Sequence, residues 1–272
     1  MCARQSVVVR TVEVFHIYLY VYMYRGTCVP RHMCTLVHRW ELIVKKEEVF
    51  KKIKGGLIVS CQALPEEPLH GSYIMARMAL AAKEGGACGI RANTPEDIKY
   101  IKETIDLPVI GLTKSIYIDS EVYITPTLEE VKELMKARPD IIALDATNRL
   151  RPGGICLKEF FLKIKEEFPD MLFMADCATF DDALEAYGLG FDIVGTTLCG
   201  YTNETRNEKL PAISLMKEMA EKLPVPVIAE GGISSPEELK EALDTGVFAA
   251  VVGSAITRPS EITKRFTKAI RA

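Results

Sequence analysis

From Lys45 to the C-terminus, a short apolar segment alternates eight times with a segment of helical periodicity. A first helical segment is predicted over Lys45–Lys54. The apolar segments are Leu57–Cys61, Cys88–Arg91, Val109–Leu112, Ile141–Leu144, Leu172–Ala175, Ile193–Thr196, Val225–Ala229 and Ala249–Gly253. The helical segments that follow them are Ser72–Glu84, Pro95–Thr104, Leu128–Ala137, Lys158–Phe168, Phe180–Tyr187, Pro211–Lys222, Pro236–Asp244 and Pro259–Ala269. Continuously apolar strands between amphipathic helices indicate a parallel sheet covered by helices.

Eight strand–helix units over roughly 220 residues match the length of a closed (β/α)8 barrel. An open, doubly wound sheet is the alternative architecture. The first strand, however, is not followed by the glycine fingerprint that opens a dinucleotide-binding sheet. We therefore predict an α/β fold, a (β/α)8 TIM barrel, which forms one domain over residues 45–272.

The first 44 residues differ in composition from the rest of the chain. Residues 1–40 contain five Arg, no Lys and a single acid, Glu13, which gives a formal charge of +4 against −3 for the whole chain. The apolar, aromatic run Val12–Tyr24 is shorter than the ~20 residues that a membrane helix needs. We predict that residues 1–44 are an extension outside the fold, either extraneous or flexible. An added strand or a partner-binding arm is the alternative.

Charge and cysteine usage restrict the partners and the compartment. A net charge of −3 argues against a nucleic-acid partner, because binding along a duplex requires clustered Lys and Arg. No membrane partner is expected. The five cysteines after residue 44 are dispersed and show no zinc-ligand spacing, which is typical of reduced thiols in an intracellular protein. We predict a cytoplasmic protein.

Polar and charged residues follow the predicted strands, where a barrel of this kind carries its functional groups. They are Gln62, Arg91, Lys114, Asp145, Asp176, Thr196, Thr197, Glu230 and the pair Gly253–Ser254. A structural interpretation is available for some of them, since either aspartate can cap a following loop and Arg91 can pair with either. Several charges at one barrel mouth nevertheless favour a functional site over a purely structural arrangement.

The last two strand–helix units carry glycine pairs that are typical of a phosphate site. Gly231 and Gly232 follow the seventh strand, and Gly253 and Ser254 follow the eighth. Glycine lets backbone N–H groups approach an oxyanion, and barrels often bind phosphate in these two loops. Arg258 lies four residues beyond Ser254 and can offer a planar donor fork to the same anion.

The strand-end motifs, taken together, resemble those of the N-acetylmannosamine-6-phosphate 2-epimerase family. The resemblance extends from about Lys45 to the C-terminus, and it rests on motifs at every strand end: Ser60–Ala63, Gly89–Ala92, Gly111–Lys114, Ala143–Thr147, Ala175–Thr179, Gly195–Thr202, Ala229–Gly232 and Gly253–Pro259. It implies a phosphate-binding barrel that interconverts N-acetylmannosamine 6-phosphate and N-acetylglucosamine 6-phosphate in sialic acid breakdown.

The same resemblance implies roles for individual residues. Lys114 and Glu230 match the acid/base residues of the family, and Gln62, Arg91, Asp176 and Arg258 match its substrate-contacting positions. Phosphate is expected near Gly231, Gly232, Gly253 and Ser254. The family implies a possible homodimer and a small sugar phosphate as substrate. Ser115, after the lysine, departs from the arginine that is often found there, and this leaves the electrostatics beside Lys114 open.

The chemistry of the reaction explains why such residues are needed. In the open-chain sugar, C2 lies next to an aldehyde, so loss of its proton gives an enolate. Because that proton is only weakly acidic, a base must lie within ~3 Å of it. Lys114 can serve if burial or nearby cations lower its pKa from ~10.4. Arg91 is a candidate for lowering that pKa and for stabilising the enolate. Glu230 can open the sugar ring or act as a second base at C2. The reaction needs no metal and no other cofactor.

Overall fold

The computed structural model describes residues 43–271 and contains a closed, eight-stranded parallel barrel in the compact unit Glu48–Ala272. Each strand pairs with its neighbours in sequence, and β8 closes onto β1. The strands are β1 (Leu57–Cys61), β2 (Gly89–Asn93), β3 (Val109–Leu112), β4 (Ile141–Asp145), β5 (Leu172–Asp176), β6 (Ile193–Gly195), β7 (Val227–Ala229) and β8 (Ala249–Val252). The predicted TIM barrel is confirmed. The predicted extension 1–44 lies outside the described residues except for its last two positions.

Helices lie between successive strands in the described part of the chain. They are α1 (43–53), α2 (Ser72–Glu84), α3 (Pro95–Thr104), α4 (Leu128–Ala137), α5 (Leu157–Glu167), α6 (Phe180–Leu189), α7 (Ile213–Lys222), α8 (Pro236–Asp244), α9 (Ser254–Thr257) and α10 (Pro259–Arg271), with a 3-10 turn at Pro152–Gly154. None of the helices within residues 43–271 combines the length and apolarity that a membrane crossing requires.

Several element boundaries differ from the prediction by one or two residues, and the largest rearrangements lie at the seventh and eighth strands. The seventh strand was predicted from Val225 but begins at Val227, because Pro226 has no N–H to give to the ladder and only its carbonyl pairs, accepting from Val194 N at 3.1 Å. The eighth strand ends one residue before Gly253. That glycine instead precedes the short helix α9, which the sequence pattern did not indicate.

Two helices begin with a side-chain cap followed by proline. The Thr94 hydroxyl accepts a hydrogen bond from Asp97 N at 3.2 Å, and the Ser235 hydroxyl accepts one from Glu238 N at 3.2 Å. A proline follows each of these caps as the first helical residue, where its missing N–H costs nothing. The caps therefore start α3 and α8 at the residues that the sequence predicted.

Side chains alternate between two apolar layers along the strands. Ile58, Ile110 and Met174 belong to the cluster inside the barrel, whereas their neighbours Val59, Val109 and Phe173 pack in the layer between strands and helices. Successive side chains of a strand point to opposite faces, which produces this division. The alternation in each strand therefore also determines which residues just after the strand direct their side chains toward the barrel axis.

Candidate active site

A cavity of about 320 Å³ lies at the carboxyl end of the barrel. Nine of the ten residues predicted for the site line it, namely Gln62, Arg91, Lys114, Glu230, Gly231, Gly232, Gly253, Ser254 and Arg258. Ser60, Tyr123, Thr197, Tyr201 and Arg265 line it as well. The tenth predicted residue, Asp176, is fully buried and contacts Arg91, one of the lining residues.

Strand phase explains why the polar residues converge. Arg91 lies in β2 between the outward-facing Ile90 and Ala92, and its side chain points into the barrel. Glu230 follows the inward-facing Ile228 by two residues, and Lys114 follows Leu112 in the same way. Because the side-chain period of a strand is two, these residues share the inward direction. Their convergence therefore follows from the spacing of these residues along the sequence.

Arg91 is held in a buried ion pair. Its Nη1 and Nη2 donate to Asp176 Oδ1 and Oδ2 at 3.1 and 2.6 Å, and both side chains are at most 1% exposed. Nη1 also lies 3.2 Å from Glu230 Oε2. Such a two-point pair fixes the plane of a guanidinium as well as its position. Asp176 therefore orients Arg91, which presents its charge to the cavity and to Glu230.

Lys114 is held by its backbone while its side chain lines the cavity. Its N–H donates to Asn93 Oδ1 at 2.8 Å, at the end of the neighbouring strand. The pKa of Lys114 is lowered to about 8, mainly by burial and then by the charges of Arg91 and Arg258, while Glu230 and Asp176 oppose the change. About a tenth of Lys114 is then the free amine at pH 7, which makes it available as a catalytic base.

Glu230 is positioned by two neighbouring threonines. Thr196 Oγ1 donates to the Glu230 carbonyl at 2.8 Å and accepts from its N–H at 3.0 Å, which fixes the main chain. Thr197 Oγ1 lies 3.2 Å from Glu230 Oε2. The side chain is 14% exposed, and burial raises the pKa of Glu230 while the charge of Arg91 opposes that rise. The carboxyl group therefore holds its proton more readily than a carboxyl group in water.

The phosphate end of the cavity is built from backbone that requires glycine. Gly231 and Gly232 have φ angles of +112° and +74°, and a Cβ atom on Gly232 would lie 2.4 Å from Leu210 Cβ. Gly253 directly precedes α9, whose first N–H groups have no helical partner and suit an anion. Arg258 ends this segment and pairs with Glu67 Oε1 at 2.6 Å, which holds it beside the cavity.

Gln62 brings an open hydrogen-bond acceptor into the cavity wall. The side chain is 8% exposed, and its Nε2 donates to Ser60 Oγ at 2.9 Å. Its Oε1 is buried and has no hydrogen-bond partner among residues 43–271. Because an unpaired buried carbonyl costs free energy, this atom is suited to accept a hydrogen bond from a hydroxyl or amide N–H of a ligand.

Asp145 has the inward phase but does not line the cavity. Its carboxylate accepts from Thr147 Oγ1 at 2.7 Å and pairs with Arg149 Nη2 at 2.6 Å. It therefore anchors the loop after β4, one of the two interpretations that the sequence allowed. Arg265 of α10 was not predicted, although it lines the cavity and donates to Ser234 O at 3.1 Å. Its position depends on how α10 packs, which no local motif signals.

Comparisons with known proteins agree with this geometry. Residues 75–272 match a family model described as a putative N-acetylmannosamine-6-phosphate epimerase. A putative N-acetylmannosamine-6-phosphate 2-epimerase of Listeria monocytogenes serotype 4b (strain F2365) is 53% identical over 225 residues, which are 82% of this chain and 97% of that protein. A protein of the same description from Caldanaerobacter subterraneus subsp. tengcongensis is 50% identical over 224 residues, 82% of this chain and 94% of that protein.

Two solved structures resemble this chain, one in both sequence and fold and the other in fold. The structure of the N-acetylmannosamine-6-phosphate 2-epimerase from Clostridium perfringens matches with a TM-score of 0.77 at 52% identity, covering 81% of this chain and 95% of that chain. A thiamine phosphate pyrophosphorylase from Pyrococcus furiosus matches with a TM-score of 0.55 at 21% identity, covering 79% of this chain and 93% of that chain, and shares the fold alone.

Proposed function

Because the chain belongs to the N-acetylmannosamine-6-phosphate 2-epimerase family, we propose that its cavity interconverts N-acetylmannosamine 6-phosphate and N-acetylglucosamine 6-phosphate through the acid/base pair Lys114 and Glu230. The proposal places the protein among the isomerases of amino-sugar and sialic acid catabolism. It assigns the activity to residues 45–272, in the cytoplasm, and keeps a homodimer as a prediction.

One observation carries the mechanism: Lys114 and Glu230 enter the same cavity from opposite sides of the barrel. Lys114 follows β3 and Glu230 follows β7, and these strands are four positions apart in a closed ring of eight. Inversion at C2 requires a proton to leave one face of the carbon and another to arrive at the opposite face. Two groups on opposite walls meet that requirement.

The pKa values support a division of labour between the two groups. With a pKa of about 8, roughly a tenth of Lys114 is a free amine at pH 7. A neutral Lys114 can take the C2 proton and become an ammonium ion. Glu230 can then protonate the opposite face, and it can also assist ring opening at the anomeric hydroxyl. Arg91 places a fixed positive charge near the enolate that forms between these steps.

The remaining predicted residues are proposed to bind the substrate around this centre. The 6-phosphate is expected on the N–H groups of Gly231, Gly232, Gly253 and Ser254, with Arg258 as its charged partner. Gln62 offers its unpaired Oε1 to a sugar hydroxyl or to the acetamido N–H. Asp176 differs from these, because both of its carboxylate oxygens are already paired with Arg91. We assign it the role of orienting Arg91.

Exchange of the C2 proton with solvent tests the mechanism directly. Phosphorus and proton NMR in deuterium oxide, with N-acetylmannosamine 6-phosphate, report both epimerisation and deuterium incorporation at C2. We expect Lys114→Ala to lose both by at least ~10³-fold, because no other base replaces the amine. We expect Glu230→Gln to lower kcat far more than it weakens substrate binding.

The matched control is Lys99→Ala, which removes an exposed lysine from α3, away from the cavity. It should retain wild-type exchange, and all variants should retain the wild-type circular dichroism spectrum. Deuterium incorporation by Lys114→Ala at the wild-type rate would remove Lys114 from the role of base.

A further inference from the structure

We propose that the Thr197 hydroxyl is a positioning residue that holds Glu230 in its proton-bearing form, by donating its own proton to Asp176 and accepting that of Glu230. The proposal rests on the function above, in which Glu230 delivers a proton to C2. It extends the site to a residue whose sequence position marked it only as lying at a strand end.

The geometry places one hydroxyl between two carboxyl groups. Thr197 Oγ1 lies 2.6 Å from Asp176 Oδ1 and 3.2 Å from Glu230 Oε2. Thr197 is two residues beyond Gly195, at the end of β6, and shares its strand phase with the inward-facing Ile193. The β6 strand lies between β5, which carries Asp176, and β7, which precedes Glu230. Closure of the barrel thus brings all three side chains together.

Counting protons decides which bond the hydroxyl makes. A threonine hydroxyl has a single proton and two lone pairs, so it cannot donate to both carboxyl groups at once. The 2.6 Å contact has the length of an O–H···O⁻ bond to a charged acceptor, and Asp176 is ion-paired with Arg91. The proton therefore belongs to the Asp176 contact. What Thr197 turns toward Glu230 Oε2 is a lone pair.

A lone pair facing a carboxylate oxygen is unfavourable, whereas a lone pair facing a protonated oxygen accepts a hydrogen bond. The chain Glu230 O–H to Thr197 O–H to Asp176 carboxylate satisfies every group in it. An ionised Glu230 would instead face an oxygen atom that has no proton to offer. The hydroxyl therefore favours the acid form of Glu230.

Other charged groups around Glu230 act with and against this effect. Arg91 of β2 and Lys114 beyond β3 favour the carboxylate, while Asp176 of β5 favours the acid. A hydrogen bond donated by Thr197 would also favour the carboxylate, but its one proton is engaged at the shorter contact with Asp176. Tyr201, from the loop after β6, lines the same cavity and carries no charge at neutral pH. The cations alone would leave Glu230 as a base. Thr197, together with burial, counteracts them and leaves Glu230 with a proton to give.

As a consequence, Lys114 is ready to accept a proton and Glu230 is ready to donate one. In one direction, the Lys114 amine takes the C2 proton and becomes an ammonium ion. The Glu230 carboxyl group then gives its proton to the opposite face of C2 and becomes a carboxylate. Return of a proton from Lys114 to Glu230 through solvent restores the starting state, so the cycle needs no other reactant.

Carbon-13 NMR of the full chain, labelled at the glutamate side-chain carboxyl carbon, measures the titration of Glu230 without any substrate. Glu230→Gln identifies its resonance, which disappears in that variant. We expect Thr197→Val to lower the titration midpoint of Glu230 by about one pH unit, because the acid form loses its acceptor. Thr197→Ser retains the hydroxyl and should restore the wild-type midpoint. If the valine variant does not fold, Thr197→Ala removes the same hydroxyl without adding bulk.

The pH profile of kcat/KM gives the functional counterpart. The limb of this profile that Glu230 controls should move to lower pH with the NMR midpoint in Thr197→Val and return in Thr197→Ser. A midpoint that rises in Thr197→Val would show that Thr197 donates to Glu230, and an unchanged midpoint would show a structural role only; either result overturns the proposal. If the wild-type protein does not epimerise its substrate, the proposed function fails, and the NMR midpoint still decides the orientation of the hydroxyl.

Discussion

The ion pair between Arg91 and Asp176 gives the most quantitative prediction, through the variant Asp176→Asn. The substitution keeps the shape of the side chain and removes its charge. The guanidinium of Arg91, 1% exposed, would then be left with the Glu230 carboxyl group, at 3.2 Å, as its nearest acidic neighbour. Removing one partner of a buried ion pair typically costs 3–5 kcal/mol, because the remaining charge stays in the interior without compensation.

We expect Asp176→Asn to lower the free energy of unfolding by about 3 kcal/mol, the lower end of that range, because an amide oxygen can still accept one hydrogen bond. For a domain of this size, this corresponds to a decrease in Tm of about 6–12 °C. Urea unfolding followed by circular dichroism measures the change, since urea, unlike guanidinium, does not screen the charges.

The chain offers a matched control in the ion pair between Lys83 and Asp106, where the contact distance is similar at 2.5 Å but the two side chains are 40% and 81% exposed. Asp106→Asn should leave the unfolding curve unchanged, because water replaces the lost partner. If both variants lowered the free energy of unfolding by the same small amount, burial of the Arg91–Asp176 pair would not contribute to stability. The assignment of Asp176 as the residue that orients Arg91 would then fail.

Two further predictions concern the substrate end of the cavity. Arg258→Gln should raise the pKa of Lys114, since the charge of Arg258 lowers it, and should move the Lys114 limb of the pH profile of kcat/KM to higher pH. The same variant should raise KM at least ~10-fold, through loss of a phosphate partner. A limb that stays in place would refute the electrostatic coupling. Gly232→Ala should lower the free energy of unfolding by about 2 kcal/mol, because it combines a positive φ with a Cβ atom 2.4 Å from Leu210 Cβ. Gly246→Ala is the control, because Gly246 has a φ of +91° but its added Cβ would meet no atom of the described residues within 4 Å. It isolates the backbone strain and should cost about 1 kcal/mol in the same urea experiment. Equal losses in the two variants would exclude the clash as a cause.

Sequence periodicity determined the architecture and the direction of the functional residues. Eight apolar segments of strand length, each followed by an amphipathic helix, left a closed barrel as the best solution. Within each strand, period-two alternation placed Arg91 and Glu230 on the inward side, together with Lys114 just beyond β3. Both effects act over a few residues, and a local pattern is therefore sufficient to reveal them.

The tertiary structure decided how the inward-facing polar residues divide their work. Asp145 and Asp176 occupy equivalent positions at the ends of adjacent strands, yet one anchors a loop through Arg149 and the other pairs with Arg91, 85 residues away in the chain. Thr197 acquires its role only because β6 lies between β5 and β7 in the closed ring. Hydrogen bonds and ion pairs form only when atoms from distant segments of the chain are placed to within a few tenths of an ångström. Periodicity predicts which side of a strand a residue occupies, but only the closed barrel determines which partner it meets there.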